Sequence, residues 1–209
     1  MKKEIKIIEK LTEIYGERDD FLNYTTPFEL VVAVMLSAQC TDKRVNMVTE
    51  KMFKVANTPQ QFAKMSVEEI EGMISSISYF HTKARHIKEC SEQIVKDFDG
   101  KVPNNMEDLM KLSGIGRKSA NVIMLEAFGI ALGVAVDTHA KRLSNRIGLS
   151  SETEPEKIEK DLIRIFPKKY LKDVNHLLVW HGRNCCTARN PKCDKCPIKN
   201  LCEYRQKNA

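Results

Sequence analysis

The stretch LSGIGRKSA, residues 112–120, sets two glycines one residue apart directly before the start of a predicted helix. Residues 106–112 predict a short helix before this turn, and RKSANVIMLEAF predicts an apolar helix that ends at Gly129. Glycine tolerates a positive φ and has no Cβ, so the backbone of such a turn can approach an anion closely. The first N–H groups of the second helix would point outward with the positive end of the helix dipole behind them. The stretch therefore predicts a turn between two helices that binds an anion such as phosphate, with a plain glycine-capped helix connector as the alternative.

Helix signals dominate the rest of the 209 residues, and the composition, 42% hydrophobic, is that of a globular chain. Thr26 predicts an N-cap, with Pro27 at the first helical position and Glu29 closing a capping box. The run IALGVAVD, residues 130–137, alternates β-branched residues, but no second strand is present to pair with it, so we expect a buried connector. The fold class predicted is all-α, built from many short helices.

The net charge of +6 is concentrated near the end of the chain. From residue 181 onward seven basic residues face two acidic ones, which favours a polyanion such as nucleic acid. No apolar run is long enough to span a membrane, and the first residues lack the apolar block of a signal peptide. We therefore expect no membrane association and a cytoplasmic location.

Four of the seven cysteines stand in the same segment with the spacing C-x6-C-x2-C-x5-C. Such crowding in a cytosolic chain indicates a metal site before it indicates disulfides. Four thiolates can hold either Zn²⁺ or a [4Fe–4S] cluster, and sulfur count alone does not separate the two. Cys185 lies beside a predicted ligand, so geometry would have to exclude it, whereas Cys40 and Cys90 are expected to be buried thiols. The predicted ligands are Cys186, Cys193, Cys196 and Cys202.

Beyond the glycine turn, three further motifs carry a family resemblance: SAQCTD at 37–42, VDTHAKRLSNRIGL at 136–149 and HGRNCCTARNPKCDKCPIKNLC at 181–202. Together with LSGIGRKSA they resemble the endonuclease III group of helix–hairpin–helix DNA glycosylases, over nearly the whole chain. The resemblance implies two helical lobes and one [4Fe–4S] cluster, held in a loop near the C-terminus. One lobe would comprise residues 20–130 with the hairpin at about 107–128, and the other residues 1–19 plus 131–209 with the cluster loop at 186–202.

The resemblance also implies an activity in base excision repair. Lys118 would attack the sugar of an oxidised pyrimidine nucleotide, form a Schiff base and cleave the strand by β-elimination. Asp137 would be the carboxylate that takes a proton or stabilises positive charge at the sugar, a role compatible with an ordinary N-cap. The expected partner is double-stranded DNA with a damaged base or an abasic site, bound by a monomer that in a prokaryote would be associated with the nucleoid.

Further site residues follow from the same resemblance. Gln39 would fill the space left by the extruded nucleotide, and Tyr79, from the turn SYFHTKA, would be a second wedge. The family usually has Gly, Leu or Phe, Tyr and Asn where this chain has SYFH, and Tyr79 could equally be a core aromatic at a helix end. Ser37, Asp42 and His139 match polar pocket positions, with structural hydrogen bonding as the competing explanation. The expected phosphate contacts are Gly114, Ile115, Gly116, Arg117, Arg189 and Lys192.

Two other functions remain open from the sequence. A monofunctional mismatch glycosylase of the same superfamily would use water in place of an amine, and Lys118 argues against it. A non-catalytic DNA-binding module with iron–sulfur or zinc would bind abasic DNA without cutting it.

Overall fold

The computed structural model describes residues 2–16 and 22–207. Within these residues the regular structure is entirely helical, as predicted, and no strand is present. No helix among them is long and apolar enough to cross a membrane. The helices are α1 (Lys3–Tyr15), α2 (Pro27–Ser37), α3 (Asp42–Met52), α4 (Pro59–Lys64), α5 (Val67–Ile74), α6 (Phe80–Asp97), α7 (Met106–Leu109), α8 (Arg117–Phe128), α9 (Thr138–Ile147), α10 (Pro155–Ile165), α11 (Lys168–Asn184) and α12 (Glu203–Lys207), with 3₁₀ turns at Cys193–Lys195 and Lys199–Leu201.

The start of α2 shows how local polar residues fix the helix boundaries. The Thr26 side chain accepts from the N–H of Glu29 at 3.2 Å, as an N-cap does. The Glu29 carboxylate does not complete the predicted capping box, because it accepts instead from the N–H and hydroxyl of Thr25 and from Asn57. Glu29 is only 3% exposed, and a buried charge is costly unless it is hydrogen-bonded. The three donors provide that compensation inside the core.

The chain divides into two compact units, of which Asp19–Ile130 is one. Helix α2 is apolar on nearly every side and packs against α3, α6 and α8. Helices α4 and α5 in turn cover α6. Leu112 and Ile115 from the hairpin turn join this core, so the turn is anchored from below by its apolar residues.

The second unit combines Met1–Arg18 with Ala131–Ala209. Helix α11 packs against α1, α9 and α10, and the short α12 packs against α9. The segment 130–137 has no regular structure and Val134 to Val136 are buried, which confirms the predicted connector. The predicted boundary between residues 19 and 20 lies outside the described residues.

Candidate active site and metal centre

The hairpin turn between α7 and α8 has the backbone that its glycines predict. Gly114 has a φ of +77°, and a Cβ built there would lie 2.9 Å from the Cβ of His86. The N–H of Ile115 donates to the carbonyl of Leu112 at 3.1 Å, so the predicted phosphate contact of Ile115 through its amide is corrected. The N–H groups of Gly114 and Gly116 have no partner among the described residues. These two amides and the first turn of α8 are therefore the donors that the hairpin offers to an anion.

Lys118 is the second residue of α8, directly after Arg117. Its side chain is exposed and makes no hydrogen bond or ion pair with any residue that the structure describes. This ammonium stands at the positive end of the α8 helix dipole. The amine is thus available to a ligand at the hairpin without first breaking an internal contact.

Asp137 forms the start of α9 in the other unit. Its Oδ1 accepts from the N–H of Ala140 at 2.8 Å, which confirms the predicted N-cap. The side chain is half-buried, and the cap fixes its rotamer. One carboxylate oxygen is held by the helix, so the group is oriented in advance of any substrate.

Gln39 and Tyr79 share an unusual backbone. Both have a positive φ, of 55° and 59°, which residues with side chains seldom adopt. Both line one cavity of about 280 Å³, together with Lys83, His86 and Gly114 among others. Tyr79 is 66% exposed, so the alternative of a core aromatic is excluded.

The three predicted pocket residues are explained to different degrees by local bonds. The Ser37 hydroxyl donates to Val34 at 2.9 Å within α2, and Asp42 is the first residue of α3 behind the N-cap Thr41. Neither lines the cavity beside Gln39. Burial lowers the pKa of His139, and nearby Arg142 lowers it further while Asp137 raises it. A neutral His139 can accept through Nδ1 from Arg142 at 3.2 Å, and a direct role for these three residues in a substrate pocket stays a prediction.

The four predicted cysteine ligands line a single cavity in the second unit. None of the described cysteines is in a disulfide. Cys185 lines the same cavity and is 8% exposed, so its position does not exclude it as a thiol near the metal. Five thiols, those of the four predicted ligands and of Cys185, line this cavity, which fits a centre held by thiolates.

Two arginines on α9 hold the loop that carries the first ligand, and sequence reasoning missed both. Arg146 donates to the carbonyls of Thr187 and Ala188, each at 2.7 Å, and to the Sγ of Cys186 at 3.5 Å. Arg142, one helical turn earlier, donates to the carbonyl of Cys186 at 3.1 Å. The spacing of four residues in VDTHAKRLSNRIGL was the available signal, because it places both side chains on one helix face.

His181 is a further residue at the metal centre that sequence reasoning did not identify. It is 1% exposed, and burial lowers its pKa to about 4. Its Nε2 lies 3.5 Å from the Sγ of Cys196, and its Nδ1 lies 3.5 Å from the hydroxyl of Tyr15. If Tyr15 donates to Nδ1, the N–H of Nε2 faces the sulfur, so a neutral His181 can donate to a thiolate.

Arg189 and Lys192 stand in the loop between the first two cysteine ligands, and both are exposed. The Lys192 ammonium donates to the carbonyl of Asn184 at 3.2 Å, which anchors one end of the loop. Positive charge is therefore presented to solvent beside the metal centre, as the sequence predicted.

Models of known protein families match both the region that contains the hairpin and the segment that contains the cysteines. Residues 32–168 match the model of the HhH-GPD superfamily base excision DNA repair proteins, and residues 186–202 match the iron–sulfur binding domain of endonuclease III. The chain is 43% identical to endonuclease III of Synechocystis sp., over 94% of this chain and 90% of that protein. It is 38% identical to endonuclease III of Escherichia coli, over 98% of this chain and 97% of that protein.

A solved structure of a trapped endonuclease III–DNA covalent intermediate superimposes on this chain with a TM-score of 0.91 at 36% identity. The match covers 100% of this chain and 99% of that one. A thermostable thymine-DNA glycosylase has a TM-score of 0.86 at 23% identity, covering 98% and 97% of the two chains, and shares the fold. The first and last of the four predicted ligands, Cys186 and Cys202, are the end residues of the matched iron–sulfur domain, and the other two lie within it. The chain thus belongs to the endonuclease III family of the HhH-GPD superfamily and holds a [4Fe–4S] cluster.

Proposed function

We propose that Lys118 is the nucleophile of this chain, which is a DNA glycosylase and AP lyase that removes oxidised pyrimidines in base excision repair. The observation that carries the proposal is an exposed amine without a partner among the described residues, two residues beyond Gly116 of the hairpin turn. The hairpin amides need no side-chain charge to hold a phosphate, so Lys118 is left free to reach the sugar.

The chemistry divides base removal and strand cleavage into two steps. The neutral amine donates its electron pair to the sugar C1′, and the bond from C1′ to the base breaks as the base leaves with that bonding pair. The amine then loses its proton, the sugar ring opens, and a Schiff base forms between Nζ and C1′. Loss of a proton from C2′ expels the 3′ phosphate, which is the β-elimination step.

Asp137 is proposed to assist base removal. A carboxylate can stabilise positive charge that develops at the sugar as the base departs, or it can accept the proton that the amine releases. The bond from the N–H of Ala140 supports this role, because it holds the carboxylate in one orientation before substrate binds.

The cluster site is proposed to act on DNA through position. When bound, the cluster cross-links the four cysteines and fixes the loop between them. Arg142 and Arg146 hold the backbone of that loop from α9, which leaves Arg189 exposed for a phosphate. The proposed partner is duplex DNA with a damaged base or an abasic site.

We also propose that the chain acts as a monomer. The large apolar side chains that are exposed in the described residues are distributed over different helices and turns, which supports this assignment. Light scattering on the purified protein tests it, and a dimer mass at micromolar concentration would contradict it.

Borohydride trapping on abasic duplex DNA tests the nucleophile. The wild type should give a covalent complex, and Lys118→Ala should give none while still binding the duplex. Lys64→Ala is the matched control, since Lys64 is an exposed lysine at the end of α4 in the same unit. A trapped complex of normal yield with Lys118→Ala would refute the assignment.

Asp137→Asn tests the carboxylate without removing the N-cap, because asparagine caps helices as well as aspartate does. Excision of an oxidised pyrimidine should fall by about 100-fold or more. The melting temperature should stay near that of the wild type, which separates chemistry from folding. Normal excision by a folded Asp137→Asn protein would remove Asp137 from the mechanism.

A further inference from the structure

The two candidate wedge residues, Gln39 and Tyr79, are connected by one buried lysine. Lys83 is 6% exposed, on the first turns of α6. Its ammonium donates to the carbonyl of Leu36 at 2.8 Å and to the carbonyl of Ala38 at 2.6 Å. These carbonyls lie at the end of α2, directly before Gln39.

Tyr79 is the N-cap of α6, so Lys83 lies one helical turn after the second wedge. Its N–H donates to the carbonyl of Tyr79 at 3.1 Å, in the first turn of α6. The Lys83 ammonium therefore ties the first turn of α6, which follows Tyr79, to the chain beside Gln39. Both wedge residues and Lys83 line the same cavity.

A buried ammonium without an acidic partner needs a physical reason. Lys83 has no carboxylate partner among the described residues, and burial lowers its pKa while nearby Cys40 raises it. A core position that required only volume would be filled at lower cost by methionine or leucine. The charge is instead placed on two carbonyls at a helix C-terminus, where the helix dipole and the last unpaired C=O groups favour a cation.

The wedge residues need such support, since both have a left-handed backbone that is unfavourable for side chains other than glycine. We propose that Lys83 is a positioning residue that holds Gln39 and Tyr79 in one fixed arrangement before DNA binds, so that both enter the duplex together. This inference rests on the proposed wedge roles of Gln39 and Tyr79.

The test measures duplex distortion directly. A duplex carries a tetrahydrofuran abasic analogue with 2-aminopurine opposite it, and fluorescence rises when the 2-aminopurine is unstacked. At equal occupancy of DNA, Lys83→Met should lose most of the fluorescence rise. It should also raise KM for abasic duplex about tenfold, with a much smaller change in kcat, because misplaced wedges weaken DNA engagement more than chemistry.

Lys88 supplies a matched control on the same helix. Its ammonium donates to the carbonyl of Ala63 at 2.6 Å, again across to another helix end, but Lys88 does not line the wedge cavity. Lys88→Met should keep the fluorescence rise at any comparable loss of stability. Lys83→Arg keeps the charge and the donors, so it should retain more of the fluorescence rise than Lys83→Met. If Lys83→Met gave an equal or larger fluorescence rise, packing alone would explain the role of Lys83 and the inference would be overturned.

The failure of this inference is distinguishable from failure of the wedge roles. If Gln39→Ala and Tyr79→Ala keep the full signal, the wedge roles fail and the role of Lys83 fails with them. If those variants lose the signal but Lys83→Met behaves like Lys88→Met, only the role of Lys83 is refuted. Should Lys83→Met not fold, Lys83→Gln replaces it, because the amide keeps a donor for one carbonyl; full signal in that variant would again refute the inference.

Discussion

The salt dependence of DNA binding should show how many basic residues near the end of the chain contact phosphate. Two of the seven basic side chains there are offset by acids, since Arg205 donates to Asp194 at 3.0 Å and Lys207 lies 4.0 Å from Glu203. Five remain to neutralise phosphates: Arg183, Arg189, Lys192, Lys195 and Lys199. Each phosphate contact contributes about −0.9 to the slope of log K against log salt, so these residues together predict about −4.5.

That slope has a large and measurable effect. Between 50 and 200 mM salt, about 500-fold of affinity should be lost if all five residues contact phosphate. Fluorescence anisotropy of a labelled duplex with a tetrahydrofuran abasic analogue measures the dissociation constant at each salt concentration. The double variant Arg189→Ala, Lys195→Ala should have a slope smaller in magnitude by about 1.8, because two phosphate contacts are removed.

A charge-matched variant separates the position of the charges from their number. Lys6 and Lys10 are both exposed on α1 in the same unit, so Lys6→Ala, Lys10→Ala has the same net charge as the tail variant. Its slope should stay close to that of the wild type. Equal slopes for the two double variants, or a wild-type slope near zero, would refute the assignment of phosphate contacts to the C-terminal segment.

Three further predictions concern the supporting structure. Arg146→Ala removes three hydrogen bonds from the loop of the first cluster ligand, so the free energy of unfolding should fall by about 3 kcal/mol. The visible absorbance of the cluster should also decay faster than in the wild type, and an unchanged decay would contradict this prediction. Glu29→Gln should cost about 2 kcal/mol in urea unfolding, because a buried carboxylate with three donors is neutralised, whereas exposed Glu50→Gln should cost nearly nothing. Burial raises the pKa of Cys90 to about 12, so at pH 8 iodoacetamide should leave Cys90 unmodified in the folded protein. The partly exposed Cys40 should be modified under the same conditions. Mass spectrometry measures the labelling of each cysteine, and equal labelling of the two would contradict this prediction.

The features that were predictable from the sequence depend on short spacing along the chain. The hairpin is one example, because Gly114 specifies the turn through its positive φ, whereas Gly116 has an extended backbone that any residue can adopt. The convergence of Cys186, Cys193, Cys196 and Cys202 on one cavity is another, since C-x6-C-x2-C-x5-C lies within one short segment, and their assignment as ligands stays a prediction. The N-cap at Asp137 was also correct, because capping involves residues three positions apart.

The features that were missed depend on which helix faces meet in three dimensions. Arg142 and Arg146 were visible as basic residues on α9, but no local pattern states that their partners are carbonyls some 40 positions later. Ile115 was predicted to donate its amide outward, but its buried side chain pulls the turn inward and its N–H closes onto Leu112. The two possible environments of Tyr79 could not be separated until its exposure was known.

Three turns with a positive φ differ in whether they need a side chain at that position. At Gly114 the structure requires a positive φ and a backbone that contacts His86 closely, and glycine meets both requirements without a side chain. At Gln39 and Tyr79 glycine would remove a strain of about 1–2 kcal/mol each, but it would also remove the side chain. A strained residue is retained when the side chain at that position is needed, and the two bonds from the Lys83 ammonium stabilise one of these turns. Under the proposed wedge roles, the energetic cost of arranging Gln39 and Tyr79 is met during folding, so that DNA binding energy remains available for unstacking the damaged nucleotide.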